Sequence, residues 1–161
     1  MTRRMRGIPA LVDPVDDGHC FACGPASTIG LHLRFVADGE GVRAETRLAS
    51  TFQGWVGVAH GGIVMTLLDE AMAHAAGMGG VRGVTAELRA RFRRPIPLDR
   101  PLVIRGRILW RRQSVYGLEA EVRDGAGVLL ASGAGHFVAK GSVVPGQLGV
   151  LGPDAEAAGP G

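Results

Sequence analysis

The stretch from His60 to Ala76 constrains the chain more than any other. It holds no proline and, after Gly62, no glycine, and it is dominated by Met, Leu and Ala, which are good helix formers. No other part of the sequence reads as a long helix. What surrounds it reads as strand. Leu31–Val36 is a short apolar–polar run, Gly39-Glu40-Gly41 is a turn, and Val42–Leu48 alternates, which together predict a hairpin. Residues 51–59 read as a Gly-rich loop into the helix. Past the helix, Val84, Ala86, Leu88, Ala90 and Phe92 fall on one face of a strand, and Thr85, Glu87, Arg89, Arg91 and Arg93 on the other, until Pro95 and Pro97 end it. Leu102–Arg111 follows, with Ile108 and Trp110 on its apolar face, then Gln113–Val122 and Val128–Val138, with Asp124-Gly125 as a hairpin turn. Short turns mean antiparallel pairing. Two strands, one long helix and four strands predict an α+β architecture, a single helix covering the apolar face of one curled six-stranded antiparallel sheet.

A chain of 161 residues allows one domain and little more. At that size a chain buries roughly 70% of its surface without disulfide or metal staples. With 46% hydrophobic and 20% charged residues, wholesale disorder is excluded. No apolar run reaches the ~18–20 residues of a membrane span. Residues 1–18 read as a lead-in segment, 19–140 as the domain, and 141–161, rich in Gly, Ala and Pro, as a flexible tail. The N-terminus lacks the apolar core of a signal peptide, and Cys20 and Cys23 are too few for a secreted disulfide framework, so a cytoplasmic protein is expected. The net charge of +3 rests on 18 basic residues of which only Lys140 is lysine, an arginine bias that reads mostly as coding bias. Aromatic residues are only 5%, and no nucleic-acid motif is present, which argues against a nucleic-acid partner.

Chemistry concentrates where the loop meets the helix. His60-Gly61-Gly62 opens the helix, and unscreened backbone N–H groups in a first turn suit an anion or a polarised carbonyl oxygen. Two turns on, Asp69 stands among Met65, Met72 and Ala73, where an acid is costly without a partner or a use. The bland alternatives are close helix–sheet packing for Gly61 and Gly62, a partnered structural acid for Asp69, and a helix-start role for His60. Glu70 is spaced i,i+4 to His74, as an ordinary surface pair would be. His19-Cys20-Phe21-Ala22-Cys23 is half a zinc site at most, with His19, His32 and His136 as conceivable partners; a structural loop and no metal is the expectation. Arg89, Arg91, Arg93 and Arg94 line one strand. They read as a solvated or subunit-contact face, or as a patch for phosphates.

His60-Gly61-Gly62 with Leu68-Asp69-Glu70-Ala71, preceded by Cys20-Phe21-Ala22-Cys23-Gly24 and Gly30-Leu31-His32-Leu33 and followed by Phe92-Arg93-Arg94-Pro95, resembles the hotdog-fold acyl-CoA thioesterases of the phenylacetate-pathway (PaaI-like) type over about residues 19–139. The resemblance implies a homodimer or dimer of dimers with active sites between subunits, an acyl-CoA substrate and no cofactor. Gly62 and Gly61 would donate N–H to the thioester carbonyl, and Asp69 from the other subunit's helix would activate water or attack directly. His60 would orient the thioester, and Thr85 would help position water. Arg91 and Arg93 would then face the phosphates of coenzyme A, with Glu70 near the substrate. Many relatives carry Asn or another polar residue in the loop about six positions before the His. Here that position is Gly54, with Gln53 beside it as a possible substitute. A non-catalytic acyl-CoA binding protein and a 3-hydroxyacyl thioester dehydratase are the alternative expectations.

Overall fold

The fold is given by a computed structural model, which describes residues 15–143. The lead-in up to residue 14 and the tail from residue 144 lie outside the described residues. In chain order the elements are β1 (Phe35–Asp38), β2 (Gly41–Thr46), a 3-10 turn (Ser50–Phe52), α1 (Gly61–Met78), β3 (Val81–Phe92), β4 (Leu102–Arg112), β5 (Val115–Asp124) and β6 (Leu129–Ser142). All six strands form one antiparallel sheet in the order β1-β2-β4-β5-β6-β3. This is the α+β arrangement expected from the pattern. β6 runs to Ser142, because Arg82 and Val81 at the start of β3 pair with Gly141 and Ser142.

α1 buries Val64, Leu67, Leu68, Ala71, Met72, Ala75 and Ala76, the i, i+3, i+4 stripe of a helix lying on a sheet. Phe35, Val42, Leu102, Ile104, Leu118 and Val122 form the facing layer, each at most 1% exposed. The helix comes close because Gly106 of β4 has no side chain: a Cβ there would stand 2.4 Å from the Ala71 carbonyl oxygen.

Of the four register shifts in the sheet, two change which face a singled-out side chain takes. In β3 the register steps from Thr85↔Phe137 to Glu87↔His136, leaving Ala86 without an opposite residue. Thr85 therefore shares the inner face of buried Phe137, while Glu87 and Arg89 stay outside. In β4 the step from Ile108↔Leu118 to Trp110↔Gly117 turns Trp110 outward, against the assignment to the apolar face. Its ring lies 5.4 Å from that of His136 and covers Gly117, where a Cβ would meet the indole.

Among the described residues β3 is an edge strand, and its twelve residues are open along one side. The opposite edge, β1, has only four. A long bare edge is a template for pairing with another chain. Leu88 and Ala90 of β3 pack on the core while Phe92 at its end is 53% exposed.

Candidate functional site

The loop before α1 is a clipped turn. Gly54 N–H donates to the Val58 carbonyl, Ala59 N–H to that of Ile96, and the Gln53 side-chain oxygen accepts from Gly57 N–H at 3.3 Å. Gln53 thus fastens the loop from within. Gly54 lies against His60, where a Cβ would come within 3.0 Å of the His60 Cα. Position 54 does adjoin the histidine, but a side chain there would crowd it. Trp55 and Val56 at the loop tip are 85% and 91% exposed.

His60 is the N-cap of α1. Its carbonyl accepts from the N–H groups of Ile63 and Val64, and its Nδ1 accepts the N–H of Gly62 at 2.9 Å. A neutral ring whose Nδ1 accepts carries its proton on Nε2, so His60 presents an N–H donor to solvent. The Gly62 N–H is already in use, and among the described residues the Gly61 N–H is the donor of that turn with no acceptor. The ring of Phe92 borders it, 3.9 Å from where a Gly61 Cβ would stand. The strand pattern presents Phe92 only as a last apolar residue, and nothing in it ties that ring to a helix start 31 positions back. Arg91, Arg93 and Arg94 flank Phe92 and are exposed, so the basic end of β3 borders the start of α1.

Asp69 is half-buried and accepts a hydrogen bond of 2.6 Å from the Thr85 hydroxyl, which the bulge turns toward the helix. Glu70 faces elsewhere. Its Oε1 lies 3.1 Å from His74 Nε2 and 3.8 Å from the Cys20 sulfur. Burial opposes ionisation of Glu70, but the bonds from His74 and from the Cys23 and Cys20 thiols outweigh it and hold the carboxyl below its ordinary value. Burial and the Glu70 charge push the Cys23 thiol well up. The structure thus joins Asp69 with Thr85, and His60 with Gly61, Gly62, Gly54 and Phe92, and sets Glu70 apart with the cysteines. His136 lies on the outer face beside Glu87, away from Cys20.

The first two groups do not meet within one chain. Gly61 and Asp69 are eight residues apart on one helix, or about 12 Å at ~1.5 Å per residue. A donor and a base acting on one carbonyl must each lie within ~3 Å of it. A single chain therefore does not bring the Gly61 N–H, at the end of β3 near Phe92, and the Asp69 carboxylate, beside Thr85, to one carbonyl.

Residues 56–131 match the thioesterase superfamily. Among solved structures, a thioesterase superfamily protein is 28% identical with a TM-score of 0.73, covering 81% of this chain and 68% of its own. A Streptococcus mutans UA159 protein bound to acetyl CoA is 19% identical with a TM-score of 0.65, covering 70% of this chain and 91% of its own. The PaaI protein from the phenylacetic acid degradation operon of E. coli is 18% identical with a TM-score of 0.65, covering 70% of this chain and 83% of its own. No curated protein gives a significant match. Among the described residues, no helix is long and apolar enough to cross a membrane.

Proposed function

The chain carries a thioesterase-superfamily domain on the hotdog fold, and we propose that it hydrolyses acyl-CoA thioesters at sites formed between two copies. The observation that carries this reading is the separation of an open helix-start donor at Gly61 from an acid at Asp69 by about 12 Å of helix. Thioester hydrolysis needs both functions at one carbonyl. A second copy pairing antiparallel along β3 supplies the missing half. If the two-fold axis passes near Arg89, Phe92 of one strand falls opposite the Thr85–Ala86 bulge of the other. That register brings Asp69 of one protomer toward Gly61 of the partner subunit.

In this mechanism the carboxylate of Asp69, held by Thr85, takes a proton from water as the water oxygen attacks the thioester carbon. The tetrahedral oxyanion is met by the Gly61 N–H and by the positive end of α1. Collapse expels the CoA thiolate, to which the His60 Nε2–H at the same helix start can donate. The Gly62 N–H, bonded to His60, holds that ring rather than the oxyanion. The exposed Arg91 and Arg93, beside the same helix start, suit the phosphates of coenzyme A. A dehydratase needs a histidine and an acid on adjacent substrate carbons. Here the His60 ring is committed to its cap, which favours hydrolysis. The test is thiol release from a panel of short, medium, long and aromatic acyl-CoAs. Turnover of at least one supports the proposal, and saturable binding without turnover across the panel rejects it in favour of a binding protein.

Thr85→Ala is expected to lower kcat by roughly tenfold, within the range for loss of one hydrogen bond to a charged group, with KM little changed. Thr85→Ser should restore most of the loss. Equal kcat in the alanine variant would remove Thr85 from the mechanism. The pairing has its own test. Cysteines at directly opposed strand positions meet the ~4.4–6.8 Å Cα separation that a disulfide needs. Arg89→Cys should therefore give an interchain crosslink on a non-reducing gel that wild type lacks, and a monomer by light scattering would oppose the pairing.

A further inference from the structure

Cys20 and Cys23 precede β1, and Glu70 lies fifty residues later on α1, yet the two sulfurs and a Glu70 oxygen all fall within 4.8 Å of one another. The Cys20 sulfur is 3.8 Å from Glu70 Oε1. In a tetrahedral zinc site, with bonds of ~2.3 Å to sulfur and ~2.0 Å to oxygen, sulfur and oxygen ligands stand roughly 3.5 Å apart. The side chains stand close to that spacing.

The backbone sets up this spacing. Gly24 N–H bonds the Cys20 carbonyl at 2.8 Å, and Leu31 and Leu33 N–H bond the carbonyls of Phe21 and Ala22. A Cβ at Gly24 would stand 2.4 Å from the Cys20 nitrogen and 2.5 Å from the Gly18 oxygen, so the tight turn that puts both sulfurs on one side requires glycine after Cys23. Buried Ala22 anchors the turn in the core.

A buried histidine fixes the third donor. His74 is 4% exposed, and its ring stacks on Phe35 at 4.5 Å. Its Nε2 holds Glu70 Oε1 at 3.1 Å, and its buried Nδ1 has no partner among the described residues. An imidazole that orients a ligating carboxylate is the outer support that metal sites use. All four residues line one cavity of about 710 Å³ together with Asp16, Asp17 and His19, and its acids outnumber its one guanidinium, Arg82.

We infer that Cys20, Cys23 and Glu70 bind one thiophilic divalent cation of the zinc class, with His74 positioning Glu70 and water completing the shell. Two thiolates and a carboxylate are a soft-to-borderline set that selects zinc-like ions over magnesium or calcium. As the ion binds, the two thiols lose their protons to solvent and two S–metal bonds form. The ion ties the segment before β1 to α1 at the residue beside Asp69.

The test uses the full chain without an affinity tag, dialysed and then titrated with cobalt(II) and zinc. One cobalt per chain is expected, with a sulfur-to-cobalt charge-transfer band and tetrahedral visible bands that one equivalent of zinc bleaches. Cys20→Ser/Cys23→Ser should lose the band. Glu70→Gln should keep both sulfurs but bind at least ~10-fold more weakly. Asp69→Asn should bind like wild type, so the site stands or falls apart from the hydrolase reading. Zinc should raise the Tm of wild type and not that of the double serine variant. Absence of a sulfur-to-cobalt band in wild type overturns the inference. So does zinc that the double serine variant retains.

Discussion

Asp69→Asn is expected to lower kcat for acyl-CoA hydrolysis by about 10²–10⁴-fold, the usual contribution of a positioned general base. The substitution is close to isosteric, and its amide oxygen can still accept from the Thr85 hydroxyl, so the geometry of the 2.6 Å bond survives while the charge is lost. Asp69 is half-buried at the side of α1, outside its buried stripe, so the fold and Tm should change little. KM should stay within a few-fold, because the acid acts on water rather than on the body of the ligand. Steady-state thiol release, with circular dichroism as the fold control, measures both. A variant with Asp69→Asn that turns over at the wild-type rate removes Asp69 from the chemistry and leaves the Asp69–Thr85 pair as a structural bond.

Much of this could be read from the sequence because the helix is unambiguous and the sheet mostly obeys a period of two. Val64 through Ala76 repeats its apolar residues at helical spacing, and the buried stripe is the one that spacing predicts. Tyr116, Leu118, Ala120 and Val122 all face the core, as alternation requires. Alternation fails where the register shifts, and the shift after Thr85 sets its contact with Asp69. Read by parity, Thr85 belongs with Glu87 and the arginines. The extra residue, Ala86, reverses the parity and delivers the hydroxyl to Asp69. A bulge inserts a single residue and leaves no compositional trace in a strand of mixed Val, Thr, Ala and Glu. The Glu70 environment is hidden for a different reason. Its partners at Cys20 and Cys23 are some fifty positions away, and only the packing of the segment before β1 on α1 brings them together. Which of the Gly61 and Gly62 N–H groups stays open turns on one side-chain bond, the cap from His60, which the motif alone does not reveal.

Mixing two inactive variants should restore about a quarter of wild-type activity if the site is shared between copies. Gly61→Pro removes the proposed oxyanion donor and little else. Proline suits the first position of a helix, where its missing N–H has no intrahelical partner. His60 before it already holds φ −62° and ψ 136°, the extended conformation that a residue preceding proline adopts. Loss of one oxyanion donor should cost roughly 10²–10³ in kcat. Asp69→Asn removes the base and leaves Gly61 intact. In a heterodimer of the two variants, one site brings both substituted positions together and is dead. The other joins an intact Gly61 to an intact Asp69. Random exchange makes about half the dimers mixed, each with one working site of two, which gives roughly a quarter of the wild-type rate. Were both groups to act within the same chain, every site in the mixture would lack one of them, and mixing would restore nothing. Unfolding and refolding the two variants together, against each refolded alone, separates these outcomes by more than tenfold.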